Sequence, residues 1–224
     1  MNIYNPLTAA ALAPGTLVQI SGTALSSGNS SAMAPLPNSL SGTSVVIGGL
    51  PAALSSATPG LLTAEIPTAL APGMQYQVIV SANGALTTPM TIQLSGTDPG
   101  VSTGMGGLLT AYHASGMAIS ESSPAAPGET IILLAAGLGL TDTPVGDGIA
   151  GPSAPLANAL DMPAVTINNE AAVIAFAGLQ PGAVGLYQVN VQVPADAANG
   201  DLTLILSQDG NPSNSAILPV KKTM

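Results

Sequence analysis

The chain has 224 residues and a formal net charge of −9, with 46% hydrophobic and only 2% aromatic residues. This acidity excludes nucleic acid and anionic membrane surfaces as partners, because negatively charged surfaces would repel it. The absence of cysteine excludes disulfides, thiol chemistry and the usual zinc sites. With so few aromatic residues, any core must consist of Val, Ile, Leu and Ala, which suits the thin interior of a β-sandwich.

The N-terminal part of the chain contains short apolar segments that alternate with polar residues or end at Gly, Pro and Asn. Such segments predict antiparallel strands. The predicted strands are residues 16–22, 43–47, 52–56, 61–66, 75–82 and 90–94. Asn83-Gly84 is a typical two-residue hairpin turn. We therefore predict a first β-domain over residues 1–96.

Glycine recurs through the next segment, residues 95–107. This composition is typical of a linker or a long surface loop. We interpret residues 97–107 as a Gly-rich linker that sets the angle between two domains.

The rest of the chain repeats the strand pattern. A hairpin is predicted from residues 108–113 and 117–120, and Asp209-Gly210 occupies another hairpin position. The other predicted strands are residues 130–136, 164–167, 173–176, 187–193, 202–208 and 216–220. Residues 194–199 predict a single helical turn after a proline, and nothing longer shows helical periodicity. The second β-domain is predicted over residues 108–224.

Matching segments recur at corresponding places in these two parts. They are Ala13-Pro14-Gly15 with Ala126-Pro127-Gly128, Ala34-Pro35-Leu36 with Ala154-Pro155-Leu156, and Ala64-Glu65-Ile66-Pro67 with Val191-Gln192-Val193-Pro194. Repeats of this length indicate two copies of one unit. The predicted fold is all-β, with two tandem immunoglobulin-like antiparallel β-sandwich domains.

Several of these motifs also resemble a known family. They include Gly137-Leu138-Gly139-Leu140-Thr141-Asp142, residues 178–194 and Gly200-Asp201 in the second part, and Leu12-Ala13-Pro14-Gly15 in the first. The chain resembles the uncharacterised Solibacter-type C-terminal domain family of acidobacterial secreted proteins. The resemblance implies tandem immunoglobulin-like sandwiches at the ends of large exported proteins, with no assigned catalytic residues.

His113 is the only histidine of the chain. A catalytic triad would need a nucleophile and an acid beside it, and Ser115, Ser120 and Glu121 are candidates only by their proximity in sequence. A single histidine in a predicted hairpin is more typical of an exposed surface residue. One histidine without cysteine also does not make a zinc site. We predict no catalytic, cofactor-binding or metal-binding residues.

Two pairs of acids are further candidate sites. Asp142 and Asp147 lie in a Gly-bearing loop, where they could either bind Ca²⁺ or cap turns, and the sequence leaves this open. Asp196 and Asp201 flank a turn. A glycosidase pair would need a cleft with aromatic platforms, which this composition does not favour.

The two lysines, Lys221 and Lys222, could form an isopeptide bond with an asparagine, but near a chain terminus they are more typical of solvated side chains. No apolar run approaches the ~18 residues of a membrane span. The N-terminus lacks the basic and apolar regions of a signal peptide, and the scarcity of charge favours a mature exported form over a cytoplasmic protein.

The scarcity of charge also leaves the predicted sheet edges without the lysines that usually guard them. We predict a non-enzymatic extracellular structural protein, a subunit or spacer of a bacterial cell-surface assembly such as a filament, held by β-edge and sheet-face contacts. Its partners would be further copies or other surface proteins. The alternative is an accessory module that binds polysaccharide or protein. Its loop hydrogen bonds would come from Asn29, Asn38, Asn211 and Asn214.

Overall fold

A computed structural model describes residues 1–7 and 12–222 of the chain. Strands dominate both the first half, residues 1–96, and the second half, residues 97–222. The strands of the first half are β1 (Asn2–Tyr4), β2 (Leu17–Ser21), β3 (Ser30–Ser31), β4 (Ser39–Leu40), β5 (Thr43–Ile47), β6 (Leu50–Ala52), β7 (Leu54–Ala57), β8 (Leu61–Glu65), β9 (Gln75–Ala82), β10 (Ala85–Leu86) and β11 (Met90–Gln93).

The second half is built in the same way. Its strands are β12 (Gly100–Val101), β13 (Ala111–His113), β14 (Thr130–Ala136), β15 (Ala164–Ile167), β16 (Glu170–Leu179), β17 (Tyr187–Gln192), β18 (Gly200–Gln208), β19 (Asn211–Pro212) and β20 (Ala216–Val220). One turn of 3₁₀-helix covers Met105–Gly107. No helix in the described residues is long and apolar enough to cross a membrane. The prediction of an all-β chain is confirmed.

The first half contains separate antiparallel sheets. One has the strand order β1-β2-β8-β7-β3, and the other has the order β10-β9-β5-β4, with β11 also pairing β9 and β6 also pairing β5. Apolar residues alternate along the strands, so that Val78, Val80 and Ala82 of β9 all point into the core. The first half is therefore a sandwich with its own aliphatic interior.

The second half forms one connected sheet, with the order β12-β14-β17-β16-β15-β18-β19 and with β13 on β14 and β20 on β18. Its long strand β16 pairs with β15 through Ala171 and with β17 through Ile174, and a bulge between Ile174 and Phe176 turns the strand. Its core residues form a cluster distinct from that of the first half. The division into domains at residues 97–107 stays a prediction.

Some predicted elements differ from the structure. Predicted strand 52–56 is two strands, β6 and β7, in different sheets, because the chain leaves the edge of one sheet just after Pro51. Proline is tolerated there because β6 pairs on one side only. Predicted strand 173–176 is the centre of the longer β16. The predicted helical turn at residues 194–199 is instead a tight turn in which Ala197 N–H donates to Pro194 O at 3.1 Å.

The Gly-rich segment is not a surface loop throughout. Thr97 and Asp98 are buried, and Gly100–Val101 pairs with β14. Asp98 N–H donates to Gly137 O at 2.7 Å. The segment therefore packs against the second half as soon as it leaves the first. The close approach depends on a glycine of the second half, because a Cβ on Gly137 would lie 1.9 Å from Asp98 O.

Candidate functional site

A cavity of about 230 Å³ lies where the two halves meet. The first half contributes Gly15, Glu65, Thr68 and Ala69 to its wall. The second half contributes a mainly apolar set of residues, which are Gly139, Leu140, Thr141, Pro144, Val145, Ile149, Leu179, Gly185 and Tyr187. The cavity is thus an apolar space with a single carboxyl group and a single phenol on its wall.

The loop after β14 closes this junction with polar contacts. Asp147 Oδ1 accepts the Thr68 N–H at 2.9 Å and the Thr68 hydroxyl at 2.7 Å. The next residue, Gly148, donates its N–H to Glu65 Oε2 at 2.5 Å and accepts the Leu36 N–H at 2.8 Å. Two consecutive residues of the second half therefore bind two separate segments of the first, one at Leu36 and one from Glu65 to Thr68.

Glycine allows this approach. A Cβ on Gly148 would lie 2.8 Å from Leu36 O, and one on Gly185 would lie 2.9 Å from Gly15 O. Both glycines have φ values that other residues rarely adopt, +76° and +62°. The halves therefore contact each other backbone to backbone at these points, and a side chain would force them apart.

Glu65 is the acid of the cavity. It ends β8, is only 5% exposed and receives the Gly148 N–H. Burial raises the pKa of its carboxyl to about 7, and the nearby Asp147 charge adds to this, while the Gly148 hydrogen bond acts in the opposite direction. Glu65 therefore changes its charge near neutral pH, at the contact between the halves.

Tyr187 lines the same cavity and comes from the second half. Its ring is in the core, 2% exposed, and its hydroxyl donates to the Gly139 carbonyl. Burial, and next the charge of Glu65, raise the pKa of this phenol well above its ordinary value. Tyr187 is therefore a neutral hydrogen-bond donor. It holds the segment of residues 137–140 against β17.

His113 lies in a second polar cluster, in the second half. Its Nδ1 is 2.6 Å from Glu129 Oε1, and its Nε2 is 3.1 Å from Ser123 Oγ and 3.2 Å from Ser123 O. Glu129 Oε2 accepts the Ala126 N–H at 2.9 Å. The hydrogen bonds shown for its ring are with Glu129 and Ser123, and not with Ser115, Ser120 or Glu121, the candidates by sequence proximity. The prediction of an exposed histidine was wrong, since its side chain is only 14% exposed.

Ser123, His113 and Glu129 are connected in the same way as the residues of a catalytic triad. Their hydrogen bonds, however, fit a different role. A triad histidine must accept the serine proton at Nε2. Here Nε2 also faces the Ser123 carbonyl, which can only accept, while Nδ1 faces a carboxylate. The contacts of the two ring nitrogens tie the hairpin of β13 to the start of β14.

The loop carboxylates predicted as calcium ligands or turn caps bind different protein groups. Asp142 accepts the backbone and side-chain N–H groups of Asn158 at 3.0 and 2.7 Å, and these side-chain and backbone bonds lower the pKa of Asp142. Asp147 binds Thr68 as described. Within residues 1–7 and 12–222, no group of three or more His, Asp or Glu residues could hold a metal ion.

The remaining candidates are dispersed. Asp196 is exposed, and Asp201 lies in a shallow depression with Glu121 and Lys221. Lys221 and Lys222 are both exposed. Asn29, Asn38 and Asn211 are exposed loop or edge residues, whereas Asn214 binds both backbone groups of Val101 at 3.0 Å and holds β12 in place.

Sequence reasoning missed the residues of the cavity. Glu65 was noted only as part of a repeated segment, and Tyr187 only as part of a family motif. The sequence did contain one signal. Glu65 is an acid in an alternating strand, at the position where the other copy of the repeat has Gln192. Tyr187 belongs to the core of the second half, and Tyr76 packs against the core of the first, where its hydroxyl contacts Ala71 N and O at 3.0 and 3.1 Å.

Comparison with solved structures gives distant likenesses. SGBP-B of the Bacteroides ovatus mixed-linkage glucan utilization locus, solved in complex with a mixed-linkage heptasaccharide, is 12% identical with a TM-score of 0.38. The match covers 95% of this chain, which spans 44% of the length of that protein. Domains 5-6 of the S-layer protein SbsC are 11% identical with a TM-score of 0.28, covering 100% of this chain and 97% of that one.

The Yersinia pseudotuberculosis adhesin InvE is 16% identical with a TM-score of 0.26, covering 94% of this chain and 56% of that one. Likenesses at these TM-scores carry no functional information about this chain. Comparison with curated proteins finds no match.

A family model does match the first half. The IPT/TIG domain model covers residues 2–95, which include β1 to β11 and the Glu65 side of the cavity. This match supports the immunoglobulin-like sandwich that the sheets of the first half form. The IPT/TIG domain model thus matches less than half of the chain, and the matched residues all lie in the first half.

Proposed function

We propose that this protein is a non-enzymatic structural subunit or spacer of a bacterial cell-surface assembly. The observation that carries the proposal is the contact between the halves, where Asp147 and Gly148 bind Thr68, Glu65 and Leu36. A unit whose halves are joined by these backbone and side-chain hydrogen bonds keeps a fixed length and angle. Fixed geometry is what a spacer or filament subunit requires.

The surface supports self-association. Val173 is 67% exposed on β16, in the interior of the nine-stranded sheet, and Leu86 is 73% exposed on the edge strand β10. Met105 is 97% exposed on the 3₁₀ turn. Few charged side chains oppose contact at these faces and edges, because only 6% of the residues are charged. Contacts of this kind gain their stability from apolar burial and so should resist salt.

The proposal is tested by light scattering and negative-stain microscopy of the native protein at low salt and in about 1 M NaCl. We expect ordered polymers at both salt concentrations. Val173→Lys and Leu86→Lys should each dissolve polymers built on that face or edge, and Ser153→Lys adds the same charge at an exposed loop position outside the strands as a control. Monodisperse monomers under all conditions would contradict the proposal and favour the accessory binding module.

The non-enzymatic part of the proposal concerns the Ser123-His113-Glu129 cluster. A fluorophosphonate probe labels serines that an adjacent histidine base activates. We expect no labelling of Ser123, because its own carbonyl competes for His113 Nε2. Labelling of Ser123 that is lost in His113→Gln would overturn this part of the proposal.

We further infer that the whole chain, beyond the residues that the IPT/TIG model matches, is a Solibacter-type exported protein and is extracellular. The motif residues that carry the resemblance support this inference, because Gly139 and Gly185 both lie at the contact between the halves. Immunolabelling of intact cells of the source organism tests the location. Label confined to permeabilised cells would contradict it.

A further inference from the structure

We propose that the cavity between the two halves binds a small organic ammonium ion, with its charged group on Glu65 and its apolar part among Leu140, Val145, Ile149 and Leu179. This site is independent of the structural role proposed above. It rests on the shape of the cavity, the position of its acid and the distribution of cations in the chain.

The carboxyl group on the cavity wall has no cationic partner. Glu65 is almost fully buried, and the hydrogen bond shown for it among the described residues is the Gly148 N–H on Oε2. No lysine, arginine or histidine of the described part of the chain lines the cavity. His113 pairs with Glu129, and Lys221 lines a separate surface depression. A buried carboxylate without a countercharge is costly, so a cationic ligand would relieve that cost.

The other acidic group near Glu65 adds to the preference for a cation. Asp147 lies close enough for its charge to act on Glu65, and it is itself held by Thr68. The remaining titratable group that faces Glu65 is the neutral phenol of Tyr187. An anion would therefore meet two acids and no positive group, and only a cation gains from the charges at this site.

The residues of the cavity wall indicate the size and the apolar character of the ligand. The residues around the acid are mainly aliphatic, and the volume of about 230 Å³ lies below the roughly 300 Å³ of the smallest common ligand pockets. The occupant must therefore be small, with an apolar body next to its charge. A calcium ion does not fit, because it requires six to eight oxygen ligands and this wall offers mainly carbon.

The test uses the full chain with two matched probes, phenethylammonium and its neutral analogue 2-phenylethanol. Calorimetry in buffers of different ionisation enthalpy measures both affinity and proton release. We expect saturable binding of the ammonium ion, at least about tenfold tighter than the alcohol. Because an ammonium ligand ionises Glu65, about one proton per ligand should be released at pH 6 and almost none at pH 8.

Variants separate the charge from the space. Glu65→Gln should lose the tenfold preference and the proton release while keeping the weak binding of the alcohol. Val145→Phe, which fills the cavity and leaves Glu65 intact, should lose both probes. Glu170→Gln removes an exposed carboxylate of β16 and should bind like the native protein. Equal affinity for both probes, unchanged ammonium binding by Glu65→Gln, or no saturable binding of the ammonium ion would each overturn the proposal.

Discussion

The turn that opens each repeat has the same backbone bonds in both halves. Gly15 N–H donates to Ile66 O at 2.8 Å, and Gly128 N–H donates to Val193 O at 2.9 Å. The next residue accepts in return, so that the Ile66 N–H binds Thr16 O just as the Val193 N–H binds Glu129 O. The repeat seen in the sequence is thus a repeat of hydrogen bonds.

The side chains at these equivalent positions differ. The first half has Thr16 and Glu65, whereas the second half has Glu129 and Gln192. Glu65 is buried under the loop of the second half, but Gln192 is exposed and donates to Gly128 O at 3.0 Å. Each half thus carries one acid at its turn, which is Glu65 at the end of one strand in the first half and Glu129 before the other strand in the second. The part of the protein that covers the turn decides the role of that acid.

The same turn therefore forms two different contacts, one in each half. At the first turn the neighbour is the other half, and Glu65 meets a backbone N–H. At the second turn the neighbour is the hairpin of β13, and Glu129 meets His113 at 2.6 Å. Thr16, the counterpart of Glu129, has a buried hydroxyl with no hydrogen-bond partner among the described residues.

The largest expected change in stability comes from substitutions in the two cores. Leu62→Ala and Leu204→Ala each remove a fully buried side chain from a different core cluster, and each should lower the free energy of unfolding by about 3 kcal/mol. Hydrogen exchange should then quicken mainly within residues 12–96 for the first variant and mainly within residues 97–222 for the second. Equal changes in both halves would contradict the division into two domains.

The next expected change in stability concerns Glu65, the acid found at the first turn but not at the equivalent position of the second. Glu65→Gln gives the first half the residue that the second half has at the equivalent position. The raised pKa of Glu65 means that the folded protein binds this proton more tightly than the unfolded chain does. Its stabilising contribution is therefore complete below pH about 4.5 and is lost as the pH rises through about 7.

Glu65→Gln should thus match the native protein at pH 4 and exceed its free energy of unfolding by about 3 kcal/mol at pH 8. Urea unfolding across this range measures the difference, with Glu170→Gln as a control for an exposed acid. A difference between native protein and Glu65→Gln that does not change with pH would show that burial does not raise this pKa.

A smaller effect isolates the backbone contact between the halves. Gly185→Ala and Gly182→Ala place the same methyl group at positive φ values, +62° and +81°, but only the first meets a neighbour, Gly15 O at 2.9 Å. Gly185→Ala should therefore be less stable than Gly182→Ala by about 2 kcal/mol in thermal or urea unfolding. Equal losses would mean that the approach of the two halves at Gly15 does not contribute to stability.

The smallest effect tests the second turn. His113→Ala removes the ion pair with Glu129 and the contacts with Ser123, and should lower the free energy of unfolding by about 1.5 kcal/mol. Ser123→Ala, which keeps the ion pair, should lose less than half of that. If both variants unfold like the native protein, the cluster does not hold the hairpin of β13.

Local sequence patterns predicted most of the strands because alternation and turn residues act over a few positions. Asn83-Gly84 and Asp209-Gly210 form the predicted turns, with positive φ at each of these residues. The same patterns could not show that residues 52–56 divide between two sheets, or that Gly100–Val101 is a strand. Those outcomes depend on which strand lies alongside, and the partners are distant in the sequence.

By itself the sequence determined an all-β chain with aliphatic cores, because side-chain alternation and turn chemistry are properties of neighbouring residues. It also showed that the same turn segments recur in both halves, where they make the same backbone hydrogen bonds. Only the tertiary structure decided that Glu65 lies on a cavity wall and that His113 binds Glu129. Burial and charge pairing depend on what packs against a residue, and in both cases that neighbour comes from a different element of the fold.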